Sequence, residues 1–460
     1  MKWIKAKGAT VVTILGDGTT FFSVCPNIDE VRRMTREDQI LIQILATFTN
    51  GRSIGVLQDI SLEALYQAAQ KHNVGGIVSS MLQPVLKTRA EDPAARKFRE
   101  IYMATIFRSV QLEEEVKMFA DRMEQAGIPY AFFKGYELRE LYPDPELRTM
   151  GDVDVLVRDE DMEKTIRVLN GLGYTKEGEG SAVWTCTNGT LSYEIHRRLA
   201  FGKYWNQVDH EGYFAKAFDR LQDEPGPRRG ESGAVTGTVS GKNRRYFSLE
   251  DHFIFLCFHL AKHLNSTGAG IRMVMDIALY LKAYQEQMDW KYIWEECRKI
   301  RLDVFAETLL QACQEWFQVP SGVEEEKTEA AGSATGGNAP DKELLGQLAS
   351  YIMTGGVFGF ERDDSIRRLR EGIDARTDRA SVLIRAKALW KIAFPQKKHM
   401  AYFMPAVERH PALLPLAWIR RWMRGLRERQ RLEAAFHGLD KGQYVDEARE
   451  QYRLLKKIGL

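Results

Sequence analysis

Two acidic residues interrupt an otherwise apolar stretch, DVDVLV at Asp152–Val157, and this stretch constrains the fold more than any other. A short apolar run is typical of a buried β-strand, in which successive side chains point to opposite faces. Asp152 and Asp154 would share one face, and the other would carry Val153, Val155 and Val157. Two neighbouring carboxylates repel each other, and a divalent cation is the commonest reason to keep such a pair.

The segments on either side predict a small sheet around this strand. Upstream, Ile128–Phe133 is a second apolar strand, and Lys134-Gly135 forms a turn into a short helix. Downstream, a helix over about 159–172 precedes two strands, 181–187 and 190–196. Asn188-Gly189 joins these strands and is a strong β-hairpin signal. Residues 128–200 are thus predicted to run strand–helix–strand–helix–strand–strand in a mixed sheet.

Helical periodicity covers most of the remaining chain, so the fold class is predicted to be mixed α+β. A long helix is expected from about Ala94 to Gln125, with Gly127 ending it. The positions expected to be buried on this helix are Ile101, Ala104, Val110, Val116 and Phe119. Near the N-terminus, residues 11–24 could form a hairpin around Gly16-Asp17-Gly18.

Composition shifts suggest how the chain is divided. The expected segments are a poorly patterned extension (1–33), a helical region (34–126), the α/β core (127–222), a Gly/Pro/Ser-rich loop (223–247), a helical domain (248–319), a low-complexity insertion (320–340) and a C-terminal helical region (341–460). Met34 is a plausible natural start, in which case residues 1–33 would be an upstream extension.

Bulk composition is that of an ordinary globular protein, with 44% apolar and 28% charged residues in a chain of 460. The net charge of +2 indicates no particular partner. The five cysteines are scattered without metal-ligand spacing, which favours free thiols in a reducing compartment. No apolar run approaches the length of a membrane span, and no secretory signal is evident, so a cytoplasmic location is expected.

A third acid is expected to join the pair on the central strand. Glu194 lies on the second hairpin strand and shares a face with Ser192 and His196. If that strand lies beside Asp152–Val157, the three carboxylates converge, and such oxygen ligands suit Mg²⁺ or Mn²⁺. The alternative is that Asp152 and Asp154 are solvated residues of an edge strand.

The turn and loop around the acids could bind phosphate. Gly135 after a buried strand permits close backbone approach, and Lys134 offers a point charge. Arg148, before Gly151 and Asp152, could pair with a phosphate or with the acids. A surface lysine in an ordinary turn, and a purely structural arginine pair, remain alternatives.

Two further groups of residues carry less specific signals. His259 and His263 share a helix face and could bind zinc, but capped or partly buried histidines, His252 included, are at least as common. Arg272 and Asp276, four apart, are expected to pair within their helix. The basic, aromatic C-terminal segment could contact nucleic acid, a membrane surface or an anionic acceptor, or could be a solvated face with its aromatics packed inward; it includes Lys397, Lys398, Arg420, Arg421, Trp422 and Arg424.

The run FFKG…LYPDPELRTMGDVDVLV, followed by YEIHRRL, resembles the nucleotidyltransferase superfamily with the polymerase-beta-like fold. Within it the chain is similar to proteins usually described as uncharacterised nucleotidyltransferases. The likeness extends to LEDHFIFLCFHLAKH, RMVMDIALYL and FPQKKHMAYF and covers roughly residues 36–430. It implies that Asp152 and Asp154 are metal ligands and that Glu194 is the third acid. The chain departs from the superfamily in having Lys134-Gly135 where two small residues are usual.

The resemblance implies a metal-dependent transfer of a nucleotide from a nucleoside triphosphate, such as ATP, to an acceptor hydroxyl or phosphate. The expected cofactor is Mg²⁺ or Mn²⁺, with Lys134, Gly135, Arg148 and Gly151 near the nucleotide and His196, His259 and His263 beside it. The acceptor is unidentified, and a small molecule, sugar or peptide is favoured over nucleic acid. A silent nucleotide-binding or interaction protein, and a metal-dependent phosphohydrolase using the His pair, are the alternatives.

Overall fold

A computed structural model gives the architecture of the chain. It describes residues 10–14, 20–24, 34–55, 60–179, 183–224, 241–266, 268–320, 341–356, 364–373, 381–397, 400, 404, 406–427 and 442–460. The chain divides into two compact units, of which the first comprises Met1–Asn265, Ala269–Val357 and Gly459–Leu460, and the second Ser266–Gly268 and Phe358–Ile458.

The first unit contains seven strands and most of the helices among the described residues. In chain order its elements are β1 Thr10–Ile14, β2 Thr20–Val24, α1 Arg36–Thr49, α2 Leu62–Lys71, α3 Gly75–Met81, α4 Gln83–Thr88, α5 Pro93–Ala126, β3 Tyr130–Phe132, α6 Gly135–Leu138, β4 Asp152–Val157, α7 Met162–Gly171, β5 Thr175–Glu179, β6 Val183–Thr187, β7 Ser192–His196, α8 His210–Phe214, α9 Leu249–Asn265, α10 Ile271–Tyr284, α11 Trp290–Lys299, α12 Asp303–Phe317 and α13 Lys342–Gly355.

A five-stranded mixed sheet lies at the centre of this unit, in the order β3-β4-β7-β6-β5. The central pair, β4 and β7, is parallel, and the other neighbours are antiparallel. This confirms the predicted mixed α+β class. The sequence prediction missed β5, TKEGE, because its polar, Gly-containing sequence lacks the apolar alternation of a half-buried strand.

The long helix α5 covers one face of the sheet. Its N-terminus is capped by Asp92 ahead of Pro93, and it ends at Gly127 with φ of 64°, as predicted. The residues of α5 that join the sheet core are Leu112, Val116, Phe119, Ala120 and Met123, which cluster with Val153, Val155 and Tyr193. The predictions that Ala104 and Val110 are buried are wrong, because the face of the helix that carries them is exposed.

The helices α9, α10, α11 and α12 form an apolar layer whose buried side chains include Phe253, Phe255, Phe258, Val274 and Phe305. The helix α9 begins after Ser248, whose hydroxyl accepts a hydrogen bond from the Asp251 amide and so caps the helix. Ring contacts link Phe255 of α9 to Phe133, at the end of β3, with centroids 5.4 Å apart. The helix α9 therefore lies beside the end of β3, next to the Lys134-Gly135 turn that leads into α6.

The second unit is helical among its described residues. Its elements are α14 Asp364–Glu371, α15 Ser381–Ala393, α16 Ala406–Arg409, α17 Leu414–Arg427 and α18 Gly442–Lys457. One core cluster joins α14, α15 and α18 through residues such as Leu369, Ile384 and Ala448. A second cluster contains Met400, Val407 and Ala417.

Several sequence expectations fall partly or wholly outside the described residues. The strands β1 and β2 pair antiparallel, as a hairpin over residues 11–24 requires, but its turn lies outside. Most of the predicted loop at 223–247 and of the insertion at 320–340 also lies outside. Four cysteines are buried free thiols, Cys186, Cys257, Cys297 and Cys313, and Cys25 is not described. Within the described parts of the chain, no helix combines the length and apolar character needed to cross a membrane.

Candidate functional site

The parallel pairing of β4 and β7 brings the predicted acids to neighbouring strands. In the register of this pair, Asp154 lies opposite Glu194, and Asp152 lies opposite Ser192. Because facing residues in a ladder share a side of the sheet, Asp154 and Glu194 are adjacent. The hairpin therefore supplies the third acid at the position that its spacing predicted.

A compact group of ligand atoms forms around the buried carboxylate of Asp154. Nε2 of His196 lies 2.8 Å from Oδ1 of Asp154 and 3.3 Å from Oε2 of Glu194. One potential ligand atom from each of these three residues lies within 4.8 Å of the others, a spacing that one ion could bridge. Among the described residues this is the single such group, and it includes His196, which the resemblance placed beside the nucleotide and not among the metal ligands.

Lys134 completes the group with a positive charge. Its Nζ donates to Oδ1 of Asp154 at 2.5 Å, and both side chains are almost entirely buried. Burial alone would raise the pKa of Asp154, but the Lys134 ammonium and the His196 hydrogen bond outweigh it and hold that pKa well below its usual range. Burial also lowers the pKa of Lys134, but the charges of Asp154 and Glu194 outweigh this effect and raise it. The two residues form a charged pair.

Asp152 has a different environment. It is exposed at the start of β4 and is not part of the compact ligand group. Many protein atoms nevertheless surround its carboxylate, and this desolvation, together with the charges of Asp154 and Glu194, raises the pKa of Asp152 to about 6. The expectation that Asp152 shares metal ions with Asp154 stays a prediction.

The Lys134-Gly135 turn has an unusual backbone. Lys134 adopts φ of 55° and ψ of −125°, a conformation that residues other than glycine rarely adopt and that costs of order 1–3 kcal/mol. A Cβ on Gly135 would lie 2.8 Å from Nη1 of Arg148, so a side chain at this position would displace the guanidinium. A contact with Arg148 therefore favours glycine at this position. Phosphate binding at Gly135 stays a prediction.

Arg148 is held by a residue that lies far away in the sequence. Its Nε and Nη2 donate to the two carboxylate oxygens of Asp276 at 3.0 and 2.8 Å, and the Tyr142 hydroxyl donates to Asp276 at 2.6 Å. The structure therefore pairs Arg148 with Asp276, which is the structural alternative that the sequence left open, and a role of Arg148 beside a phosphate stays a prediction. The expected pair of Arg272 with Asp276 is also wrong, since Nη1 of Arg272 donates to the Thr149 carbonyl at 2.7 Å.

This network fixes the segment just before the acidic strand. Arg148 and Thr149, four and three residues ahead of Asp152, are both anchored to α10. Gly151 is exposed, and a Cβ there would meet open space within 4 Å, so no protein contact requires glycine at this position.

Helix α9 lies on the Lys134 side of the group. The His259 and His263 rings are 4.5 Å apart, and ring contacts run from His259 through Phe255 and Phe133 to His196. Burial, followed by the charge of Lys262, lowers the pKa of His263 to about 4, and burial with the charge of Lys134 lowers that of His259 well below its usual value. Both imidazoles are neutral at pH 7. Among the described residues, no group of three metal ligands includes this pair.

Lys262 and Asp276 contribute in ways that the sequence argument missed. Burial and the charge of Lys134 lower the pKa of Lys262 to about 8, and the charges of Glu194 and Asp154 partly oppose this effect. Lys262 lies between His259 and His263 on one helix, so the face that carries the His pair could have signalled it. The contact of Asp276 with Arg148 was missed, because local spacing gives no information about a contact 128 residues away.

Paired strand acids, a neighbouring histidine and a buried lysine on a mixed sheet form a candidate metal-binding site. Residues 58–318 match the model of a family described as uncharacterised nucleotidyltransferase. The match covers more than half of the 460 residues, and the chain belongs to this family.

Two other comparisons add little. No curated protein sequence matches the chain. The solution structure of the antibiotic-resistance factor ANT(2'')-Ia is similar at 11% identity and a TM-score of 0.25, with 48% of this chain and 98% of that one covered.

Proposed function

We propose that the chain transfers a nucleotidyl group from a nucleoside triphosphate to an acceptor hydroxyl or phosphate. The acceptor oxygen attacks the α-phosphorus, the bond to the bridging oxygen of the β-phosphate breaks, and pyrophosphate leaves. When the acceptor is a hydroxyl, its proton passes to a carboxylate of the site. The observation that carries the proposal is the grouping of Asp154, Glu194 and His196 on paired strands, beside the Lys134 ammonium.

The donor atoms fit a divalent cation. Two carboxylates and an imidazole lie within bridging distance of one another, and Nε2 of His196 faces both carboxylates. Asp154 and Glu194 would hold Mg²⁺ or Mn²⁺, with His196 as the third ligand and Asp152 at the edge. When bound, such an ion neutralises phosphate charge and makes an attacking oxygen more nucleophilic.

The chain's own cations would orient the triphosphate. Lys134 is buried beside the acids and stays protonated, so its ammonium is available to a phosphate oxygen once it leaves Asp154. Lys262, with a pKa of about 8, is mostly charged at pH 7 and adds a second positive charge on the α9 side. Glu194 is the more exposed of the two paired acids and is the better placed to accept a proton from the acceptor.

A pyrophosphate-release screen would test the proposal. The full chain is incubated with each of the four nucleoside triphosphates and Mg²⁺ or Mn²⁺, against a library of small hydroxyl and phosphate compounds, sugars and peptides. We expect metal-dependent release of pyrophosphate with at least one combination, and loss of about 10³-fold or more in an Asp152→Ala, Asp154→Ala double variant.

The matched control is Asp121→Ala, which removes an exposed acid from α5, and circular dichroism checks that each variant is folded. Turnover that survives in the double variant would refute the assignment of the acids. Nucleotide binding without release of pyrophosphate for any pair would favour a silent nucleotide-binding protein. Release of inorganic phosphate alone would favour a phosphohydrolase.

A further inference from the structure

The second unit exposes a group of large apolar side chains that its own core does not cover. They lie on α15 and α17 and are exposed by 36% (Trp422) to 75% (Val382) of their surface. We call them the exposed apolar surface, and they are Val382, Leu383, Leu389, Trp390, Leu416, Ile419, Trp422 and Met423. The expectation that the aromatics of this segment pack inward is wrong for Trp390 and Trp422.

Helix α15 has two apolar faces. Ile384 and Ala388 point into the core of the unit. Successive residues of a helix are about 100° apart, so the exposed apolar residues of α15, from Val382 to Trp390, occupy a separate arc of about 120°. The cations of this helix flank that arc, with Lys387 on one side and Arg385 on the other.

Helix α17 repeats this arrangement. Leu416, Ile419 and Met423 recur at spacings of three and four residues and share an exposed face, and Ala417 points into the core. Arg420 lies next to Leu416 on the helical wheel and borders the arc.

Aromatic contacts join the two arcs. The Phe394 ring lies 4.4 Å from the Trp390 ring and 5.1 Å from the Trp422 ring, measured between centroids. The indole of Trp422 donates to the Ala393 carbonyl at 2.8 Å, which fixes α17 against the end of α15. The exposed apolar surface is therefore a single feature formed by two helices.

The positive charge of the segment that carries the exposed apolar surface indicates which kind of partner it would bind. Residues 381–427 contain ten lysines and arginines and one glutamate, a formal charge of +9, whereas the whole chain carries +2. Apolar arcs with exposed tryptophan and flanking cations match the interface of an anionic lipid bilayer, where apolar side chains enter the acyl boundary and cations meet headgroups.

Two other occupants fit less well. Nucleic acid would use the cations, but exposed aliphatic residues such as Val382 and Ile419 offer bases no stacking surface. A second copy of the chain would bring two surfaces of the same positive sign together. We propose that the exposed apolar surface docks, without spanning, on the surface of an anionic membrane.

Vesicle flotation with the full chain tests this proposal. We expect binding to phosphatidylcholine vesicles that contain phosphatidylglycerol, little binding to phosphatidylcholine alone, and weaker binding at high salt. Trp390→Glu with Ile419→Glu should lower the partition coefficient about tenfold or more. Arg420→Gln and Arg424→Gln should lower it about fivefold each, and these charge variants leave the apolar arcs intact.

Phe107→Glu is the matched control, since Phe107 on α5 is 66% exposed and Trp390 is 65% exposed. The proposal predicts that this control floats like the wild type, and thermal melting checks the fold of every variant. It is overturned by an absence of binding to anionic vesicles, or by equal loss in the control. It is also overturned if a nucleic acid oligomer shifts the chain while vesicles do not, or if the glutamate variants dissociate a dimer of the wild type.

Discussion

The Lys134–Asp154 and Arg148–Asp276 ion pairs are both buried, yet their cations are held in different ways. Arg148 donates twice to Asp276, and Tyr142 donates to the same carboxylate. Lys134 makes one hydrogen bond to Asp154, and His196 approaches the same oxygen. Arg148 is therefore committed to one geometry, whereas the ammonium of Lys134 is a point charge that another cation can replace.

The two ion pairs therefore have different roles, although Lys134 and Arg148 lie close together in the sequence. The Arg148 pair anchors the loop before β4 to α10, and its strength depends on planar, two-pronged geometry. In the Lys134 pair, the ammonium neutralises Asp154, a candidate metal ligand. The ammonium thus takes the role that a bound metal ion would have. We expect an incoming divalent ion to displace Lys134 and leave Arg148 in place.

The largest effect is expected from Arg148→Met. It leaves the buried Asp276 carboxylate without its counter-charge and should lower the unfolding free energy by about 3–5 kcal/mol. Chemical denaturation, followed through the unfolding transition of the first unit, measures this loss. Addition of Mn²⁺ should not restore the loss, because Asp276 lies outside the ligand group.

The double variant Arg148→Met, Asp276→Leu is the control, since it removes both charges together. It should recover much of the stability, because an apolar pair of similar volume often replaces a buried ion pair at little cost. A single Arg148→Met variant as stable as the wild type would show that this pair is not an anchor.

The sheet could be predicted from sequence because its signals are local. Asn188-Gly189 fixes the hairpin, and the alternation of acids and valines fixes which side of β4 is polar. To predict the contact of Asp154 with His196, one must also know that β4 and β7 pair in parallel. From the sequence, the pairing of these two strands could only be assumed.

The partner of Arg148 could not be predicted, because it is determined by tertiary packing. Helical spacing favoured Arg272 for Asp276, and the docking of α10 overrode that preference. On α5, periodicity identified Val116 and Phe119 correctly but assigned Val110 to the core. An apolar stripe indicates that one face of a helix can be buried. Which turns of that face are buried depends on the elements that pack against it.

The next effect is a gain in metal affinity for Lys134→Met. Removing a cation 2.5 Å from a ligand oxygen should strengthen Mn²⁺ binding about tenfold or more, measured as the loss of the free-ion electron paramagnetic resonance signal. Mn²⁺ should also raise the melting temperature of this variant, in contrast to Arg148→Met.

Lys262→Met is the matched control for this gain. It removes a second lysine whose pKa is influenced by Glu194 and Asp154 but keeps the 2.5 Å contact of Lys134 with Asp154, so its effect on metal binding should be several-fold smaller. Equal affinities for the wild type and Lys134→Met would mean that the lysine does not compete with the metal.

The smallest effect concerns Asp152, the neighbouring acid whose pKa is raised to about 6. An unfolded aspartate has a pKa of about 3.9, so between these values the folded state binds more protons and stability falls as the pH rises. Asp152→Asn cannot ionise and should be more stable than the wild type at pH 7.5, but not at pH 4. Because Asp152 is exposed, solvent screening limits the gain to less than about 1 kcal/mol.

Asp154→Asn provides the opposite sign in the same experiment. Its folded pKa is depressed, so the carboxylate contributes stability above the unfolded pKa, and that contribution is lost as the pH falls. The asparagine variant should therefore be less stable than the wild type at pH 7.5, and the difference should shrink toward low pH. If the two variants changed stability in the same direction at pH 7.5, the Lys134 ammonium would not stabilise Asp154 relative to Asp152. The proposed difference between the Lys134 and Arg148 ion pairs would then be refuted.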